Sequence, residues 1–414
     1  SELPLETKKI CIMNNDRREF LKKGLLGVSA TAFIPGVLKG SPDRSSTTAS
    51  RADLPARVLG RTGIQAPLIS LGASGAINPS FIKGAYDSGI KLFFSATYYG
   101  EGNNEIIVGE ALKDYPRDSF VVATAAPCNE VDNRTGLLTD KFSARAYMGK
   151  AEGSLRRFGL DHIDIILFPY ASKRETVCNE EILKTMEQLK QQGKVRFTGI
   201  ASHGGMEEAL EAAASTGIYD VAMISYNFKL QNREALDTAI AKASASGMGI
   251  VAMKTTAGAF RNKSGPGISS DAALKWALQN ANIATIVSGM TTAEQIQKNL
   301  AMIRNLKMTE DEMSDLKSAL AFSETGLFCQ QCGQCLPRCP ACLDIPMIMR
   351  GYMYAYGYKN LLQARNTLAA SGMPSAPCAD CKSCSVRCSS GFDVRRKIQD
   401  IARLTKVPED FLLT

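Results

Sequence analysis

The chain has 414 residues, 45% of them hydrophobic, and a formal net charge of +8 at pH 7. That length accommodates one large domain and a small one, with apolar content enough for a sizeable core. The positive excess comes with no lysine/arginine run and no aromatic-interleaved basic stripe, so it reads as a solvated surface and not as a nucleic-acid binder.

The first element is DRREFLKKG, residues 16–24, followed by LLGVSATAFIPGVL. Paired Arg17 and Arg18, then Phe20, Leu21 and Lys22, then a weakly apolar run, resemble a twin-arginine export signal. The apolar run is too short to span a bilayer in the ordinary way. The resemblance implies export of an already folded protein, to the periplasm or the outer face of the cytoplasmic membrane. The small-residue site Ala30-Thr31-Ala32 lies inside the apolar stretch. The segment is therefore expected to stay uncleaved and to associate the protein with the membrane. Met13 opens an ordinary start for such a signal, so residues 1–12 are expected to precede the natural start. Residues 40–53, GSPDRSSTTASRAD, are small and polar and read as a linker, giving a signal-and-linker segment over residues 1–54.

From residue 55 short apolar runs alternate with helical stretches. Strands are expected at 67–72, 91–96, 120–125, 163–168, 195–202, 221–227, 249–255 and 284–289. The intervening helices include EEILKTMEQLKQQG and EALDTAIAKASASG, ending at Gly193 and Gly247. Thr291 with Glu294 forms an expected capping box before the last helix. Apolar strands alternating with helices mean a parallel sheet covered on both faces. Eight such units over residues 55–310 fit a (β/α)8 TIM barrel, whose chemistry lies at the carboxyl ends of the strands. The other candidate, a doubly wound open sheet, lacks a glycine-rich nucleotide turn after the first strand.

RVLGRTGIQAPLISLG, GIKLFFSATYYGEGNNEIIVGEAL, GSLRRFGLDHIDI, GKVRFTGIAS and IVSGMTTAEQIQKNLAMI together resemble the aldo-keto reductase barrel. Active members of that family reduce carbonyls with a nicotinamide hydride and an Asp, Tyr, Lys, His tetrad, the tyrosine donating the proton. A tyrosine near its ordinary pKa of about 10 is a poor acid without such help. On this sequence the tyrosine position is Tyr99, but the aspartate position is Phe94, the lysine position Ala125 and the histidine position Pro169. The positions that grip the nicotinamide fall on Ala201-Ser202, Met223 and Met253, and those that hold a 2′-phosphate on Gly289 and Gln295. The resemblance thus implies a degenerate tetrad and argues against ordinary NADPH-dependent reduction. Were NAD(P) to bind, Ser202, Thr291, Gln295 and Asn299 are the positions left to hold it. The catalytic candidates at the mouth are Tyr99, His203 just after the fifth strand, and Lys254 at the end of the seventh, with Tyr98 and Tyr170 beside them. His162, ahead of the fourth strand, reads as structural.

The tail, residues 320–414, holds nine of the twelve cysteines. Cys329, Cys332, Cys335 and Cys339, with Pro340, make C-x2-C-x2-C-x3-C-P, and Cys378, Cys381, Cys384 and Cys388 repeat the spacing. Dense runs of this kind indicate metal and not disulfides, and the third cysteine of each triple points to two [4Fe–4S] clusters over two zinc sites. By the two-cluster ferredoxin rule the fourth cysteine of each motif ligates the other cluster. That assigns Cys329, Cys332, Cys335 and Cys388 to one and Cys378, Cys381, Cys384 and Cys339 to the other. The segment between reads as helices, so the tail resembles an α-helical ferredoxin-like module. Cys342 is expected to be buried, and the tyrosines at 352, 354, 356 and 358 to serve packing.

Clusters carry one electron and hydride carries two, so a flavin or a substrate that tolerates single-electron steps must stand between a nicotinamide barrel and such a tail. The first expectation is an exported iron–sulfur oxidoreductase, acting on a small-molecule substrate and exchanging electrons with a redox partner protein. A non-catalytic electron-transfer or binding subunit is the alternative, and an NAD(P)H-dependent carbonyl reductase using other residues a further one.

Overall fold

A computed structural model describes residues 54–127, 130–132, 134–258, 269–321 and 326–412. Residues 1–53, with the expected export signal, the expected linker and Cys11, lie outside the described residues, as does Cys128. Eight parallel strands close into a barrel in chain order: β1 (Ile69–Gly72), β2 (Leu92–Ala96), β3 (Val121–Ala125), β4 (Ile163–Pro169), β5 (Val195–Ser202), β6 (Val221–Ser225), β7 (Gly249–Met253) and β8 (Ile283–Ser288). Ile286 pairs with Ile69 to shut the ring. Strands walled by helices outside and side chains inside must be apolar on both faces. Accordingly β2, β4, β6 and β7 are buried at every position.

The outer ring is α1 (Pro79–Asp87), α2 (Asn103–Leu112), α3 (Ala144–Phe158), α4 (Glu180–Gln191), α5 (Met206–Thr216), α6 (Arg233–Ala245), α7 (Ser270–Gln279) and α8 (Ala293–Met302). Their starts follow from local chemistry. Asn78 accepts from the Phe81 amide ahead of Pro79, Ser143 from Ala146, and Asn179 from Glu181 and Ile182, satisfying amides that have no helical partner. The capping box at α8 sits one residue later than expected. Thr292 caps, accepting from the Gln295 amide at 3.3 Å, and the Gln295 Oε1 accepts from the Thr291 amide at 2.7 Å. Glu294 is not its acid because Gln295, and not Glu294, falls three residues after the capping threonine.

Two buried carboxylates cross-tie the fold, one between helices and barrel and one between strands. Glu105 of α2, 0% exposed, accepts from Thr124 Oγ1 of β3 at 2.5 Å and Arg157 Nε of α3 at 2.6 Å. Asp164, at the start of β4, accepts from Arg117 and Arg196 at 2.7 Å each and from the Val122 amide at 2.8 Å. His162 approaches the same carboxylate at 3.9 Å, the structural placement its sequence position suggested.

After α9 (Glu310–Ala321) the tail folds as α10 (Ile345–Tyr352), a π-helical turn over Met353–Gly357, α11 (Leu361–Ala370) and α12 (Val394–Ala402). It has its own core, including Ile345, Ile348, Met349, Leu368, Ile398 and Ile401. A second apolar cluster joins it to the barrel: Phe228, Ala257, Ala272 and Ala273 pack with Leu316 and Ala319 of α9 and with Phe328 and Met353 of the tail. Barrel and tail form one compact unit.

Candidate functional site

The carboxyl ends of the strands form a mouth with an apolar floor. Phe94 (β2), Ala125 (β3), Ala201 (β5), Met223 (β6) and Met253 (β7) meet in one interior cluster, and Tyr98 and Tyr99 pack on it. Around it stand the first residues beyond the strands. Tyr170 follows β4 at φ +63° and Lys254 follows β7 at φ +56°. Two bulky L-residues in the left-handed region directly at strand ends mark a place where the surrounding structure over-determines the backbone.

The tail supplies the other half of this mouth. Lys254 Nζ donates to the Tyr354 hydroxyl, on the π-helical turn, at 2.8 Å. The Arg350 guanidinium, on α10, lies 5.5 Å from the centre of the Tyr170 ring. Tyr354 is therefore more than the packing residue its spacing suggested, although its ring also meets Tyr358 at 6.0 Å, as Tyr352 and Tyr356 meet at 4.3 Å. Glycines permit the close seat. A Cβ on Gly204, next to His203, would meet the Gln331 oxygen at 2.7 Å and its Cβ at 2.8 Å. Gly258, at φ +72°, lies where a Cβ would meet Met353 at 3.0 Å. Gln330 clamps the same seam, its Nε2 donating to Lys229 O at 2.7 Å while its Oε1 accepts from the Gln231 amide at 3.3 Å.

Charge is distributed unevenly in this enclosure. Desolvation drives the Tyr98, Tyr99 and Tyr170 hydroxyls above their ordinary pKa. Desolvation pushes Tyr354 the same way, but the Lys254 and Arg350 charges and the Lys254 hydrogen bond outweigh it and hold Tyr354 below its ordinary value. Tyr354 thus has a hydrogen-bonded cation that makes a phenol a usable acid, whereas at Tyr99 burial outweighs the Arg350 charge. His203 is held well below its ordinary pKa by burial, then by Arg350 and Lys254, and its Nδ1 is buried with no hydrogen-bond partner.

The cysteines gather in two sets. Cys329 and Cys335 sense Cys332 and Cys388, and Cys332 Sγ lies 3.4 Å from Ser389 Oγ, one residue past Cys388. Cys378 senses Cys381, Cys384 and Cys339. Those four line one small cavity with Pro340, Ile345, Val386 and Ile398. Burial pushes the Cys329 thiol up to about 12 and Cys335 to about 11, so these sulfurs ionise only against metal charge. Three sulfurs from one motif and one from the other, facing a shared cavity, fit a four-iron cube held by four thiolates. Among the described residues no three histidine, cysteine or carboxylate groups converge as they would on a single ion. Cys342 is exposed, against expectation: at φ +50° it sits in the turn after Cys339 and outside the core.

Residues 78–270 match the aldo/keto reductase family, and residues 328–393 match a 4Fe-4S dicluster domain. This is an aldo/keto reductase barrel with a dicluster domain behind it. L-galactose dehydrogenase of Arabidopsis thaliana is 24% identical over 64% of this chain and 93% of its own length. The NADH-specific methylglyoxal reductase of Escherichia coli (strain K12) is 34% identical over 28% of this chain and 39% of its own. Among solved structures, aldo-keto reductase AKR11C1 from Bacillus halodurans (holo form) superposes with a TM-score of 0.53 at 20% identity, covering 64% of this chain and 95% of that one. An aldo-keto reductase from Klebsiella pneumoniae in complex with NADPH gives 0.50 at 19%, covering 64% and 94%. These likenesses show the fold.

In this aldo/keto reductase barrel Tyr99, His203 and Lys254 all reach the mouth. Of the positions proposed to hold a nicotinamide cofactor, Ser202 adjoins His203 at the end of β5, and Thr291, Gln295 and Asn299 lie around α8. Ser202 is fully buried, its hydroxyl donating to Gly204 O at 2.8 Å. Thr291 and Gln295 bond each other on an exposed rim, and Asn299 donates to Ser288 at 3.4 Å. Arg350 and Tyr354 were invisible to barrel reasoning because they come from another domain. The one available signal was the Met- and Tyr-rich run between the cysteine motifs, too apolar for a linker.

Proposed function

We propose that the chain is an exported iron–sulfur oxidoreductase in which a small molecule reacts at the barrel mouth. The clusters would supply single-electron transfer between that site and a redox partner protein. The observation that carries this reading is the seat of the tail. Gln331, inside the first cysteine motif, packs on Gly204 beside His203, and its amide donates to Cys329 Sγ at 3.4 Å. The Cys329, Cys332, Cys335, Cys388 set therefore adjoins the mouth. Ile345 lines the second cavity, and Arg350 lies five residues further along the same helix, about 7.5 Å on. Both cysteine sets thus stand within one short helix of the reacting space.

Lys254 and Tyr354 provide a phenol with a cation at hydrogen-bond distance, able to give or take a proton. Phe94, Ala125, Met223 and Met253 leave the floor without a group to polarise a carbonyl in the family's usual manner, which supports a reaction other than NADPH-driven carbonyl reduction. A flavin or a substrate that tolerates single-electron steps meets the electron count. Export by the twin-arginine route rests on DRREFLKKG, residues 16–24, and on the need to carry assembled clusters across a membrane folded. Among the described residues no helix is long and apolar enough to cross a membrane.

The test is anaerobic purification with cofactor analysis, then the visible cluster absorbance followed while candidate small molecules are added. Bleaching or recovery driven by a small molecule, with no NADPH fluorescence change on titration, supports the reading. Brisk aldehyde-dependent NADPH oxidation with unchanged clusters refutes it.

A further inference from the structure

Arg350 is 8% exposed, yet its guanidinium makes no hydrogen bond and no ion pair among the described residues; its one contact of note is the Tyr170 ring. Asp344, at the other end of the same helix, feels the Arg350 charge but makes no ion pair with it; its carboxylate is engaged as the N-cap, accepting from the Met347 amide at 3.1 Å. A guanidinium withdrawn from water without an anion is among the costliest groups a fold can hold, and such groups are ordinarily paired. The second cation of the enclosure, Lys254, already bonds Tyr354. His203 Nδ1, within electrostatic reach of both cations, is buried and unpartnered. The floor beneath them is apolar: Phe94, Met223 and Met253.

We propose that this junction of barrel and tail is a binding site for a small organic acid, with Arg350 pairing its carboxylate, His203 Nδ1 hydrogen-bonding it and its carbon body lying on the apolar floor. Among the described residues Arg350 has no hydrogen-bonded anion, and its planar guanidinium fork suits a carboxylate bidentately. Lys254 and Tyr354 then face the part of the acid that reacts. That the bound acid is also the redox substrate rests on the function proposed above; its binding does not.

The test uses the full chain, anaerobic, with its clusters oxidised, so that no turnover is needed. Acetate, pyruvate and benzoate are titrated calorimetrically, with acetamide and benzamide as uncharged counterparts and inorganic phosphate as the competing anion. At least one carboxylate binds, its amide about thirtyfold or more weaker, and Arg350→Met loses about thirtyfold while Arg350→Lys keeps part of the affinity. Because Arg350 makes no hydrogen bond or ion pair among the described residues, Arg350→Met also melts at the same or a higher temperature with full iron content. Carboxylates that bind no better than amides, phosphate that binds tighter than every carboxylate, an Arg350→Met affinity equal to wild type, or an Arg350→Met protein that is strongly destabilised would each overturn the proposal. Loss of substrate-driven cluster reduction with carboxylate binding intact would instead count against the redox reading alone.

Discussion

Replacing Gly204 with valine tests the seat of the tail on the mouth. A Cβ there falls 2.8 Å from the Gln331 Cβ and 2.7 Å from the Gln331 oxygen. Ordinary carbon contact is about 3.5 Å, so the tail backbone beside Cys329 must retreat by about 0.7 Å before the valine methyls are counted. Gln331 sits between two cluster cysteines, and the neighbouring Gln330 bonds Lys229 O at 2.7 Å, so the segment cannot move freely. Overpacking of this kind costs about 1–3 kcal/mol, and losing the two Gln330 bonds adds about 0.5–1.5 kcal/mol each. Anaerobic chemical denaturation of wild type and Gly204→Val, with iron quantified in both, reads the change, and hydrogen exchange at Gln330 and Gln331 locates it. Equal stability with unchanged protection of those two amides would mean that the tail does not rest there.

Crossed ligation makes the cysteine variants asymmetric. Cys339→Ser should damage the cluster of the second motif and Cys388→Ser that of the first, so each leaves the opposite electron paramagnetic resonance signal; loss of the signal from the variant's own motif contradicts the assignment. Arg157→Met strips the buried Glu105 carboxylate of its cation and should cost about 3–5 kcal/mol, whereas a loss below about 1 kcal/mol would mean the pair is idle. His203 has a sign that can be checked. Its folded pKa lies well below the unfolded value of about 6.5, so below that pH the unfolded chain takes a proton the folded one refuses. Stability therefore falls on acidification from pH 7.5 to 5, by at most about 1.4 kcal/mol per pH unit for this one group. His203→Gln should flatten that slope, and identical slopes would refute the placement.

The barrel was legible because its strands are buried on both faces and carry unbroken apolar runs, and because Gly193 and Gly247 close two helices at positive φ where few other residues fit. The cluster residues were legible for a different reason: eight thiolates at fixed spacing have few other uses. Boundaries slipped where local chemistry offered two near-equal choices, as with Thr291 and Thr292. The mouth was half legible. Tyr99, His203 and Lys254 follow from the rule that barrel chemistry sits at strand ends, but Arg350 and Tyr354 enter from a helix about a hundred residues further along the chain. A sequence pattern reports periodicity within an element. It does not report which face of one domain covers another, since that is decided by the fit of Gly204 and Gly258 against Gln331 and Met353.

The most direct measurement is iron and acid-labile sulfide analysis of anaerobically prepared full chain, joined to paramagnetic resonance after dithionite and, separately, after NADPH. The account predicts iron and sulfide for two four-iron cubes, two interacting reduced centres with dithionite, and oxidised clusters with NADPH alone. A single centre, zinc in place of iron, or clusters reduced directly by NADPH would contradict it.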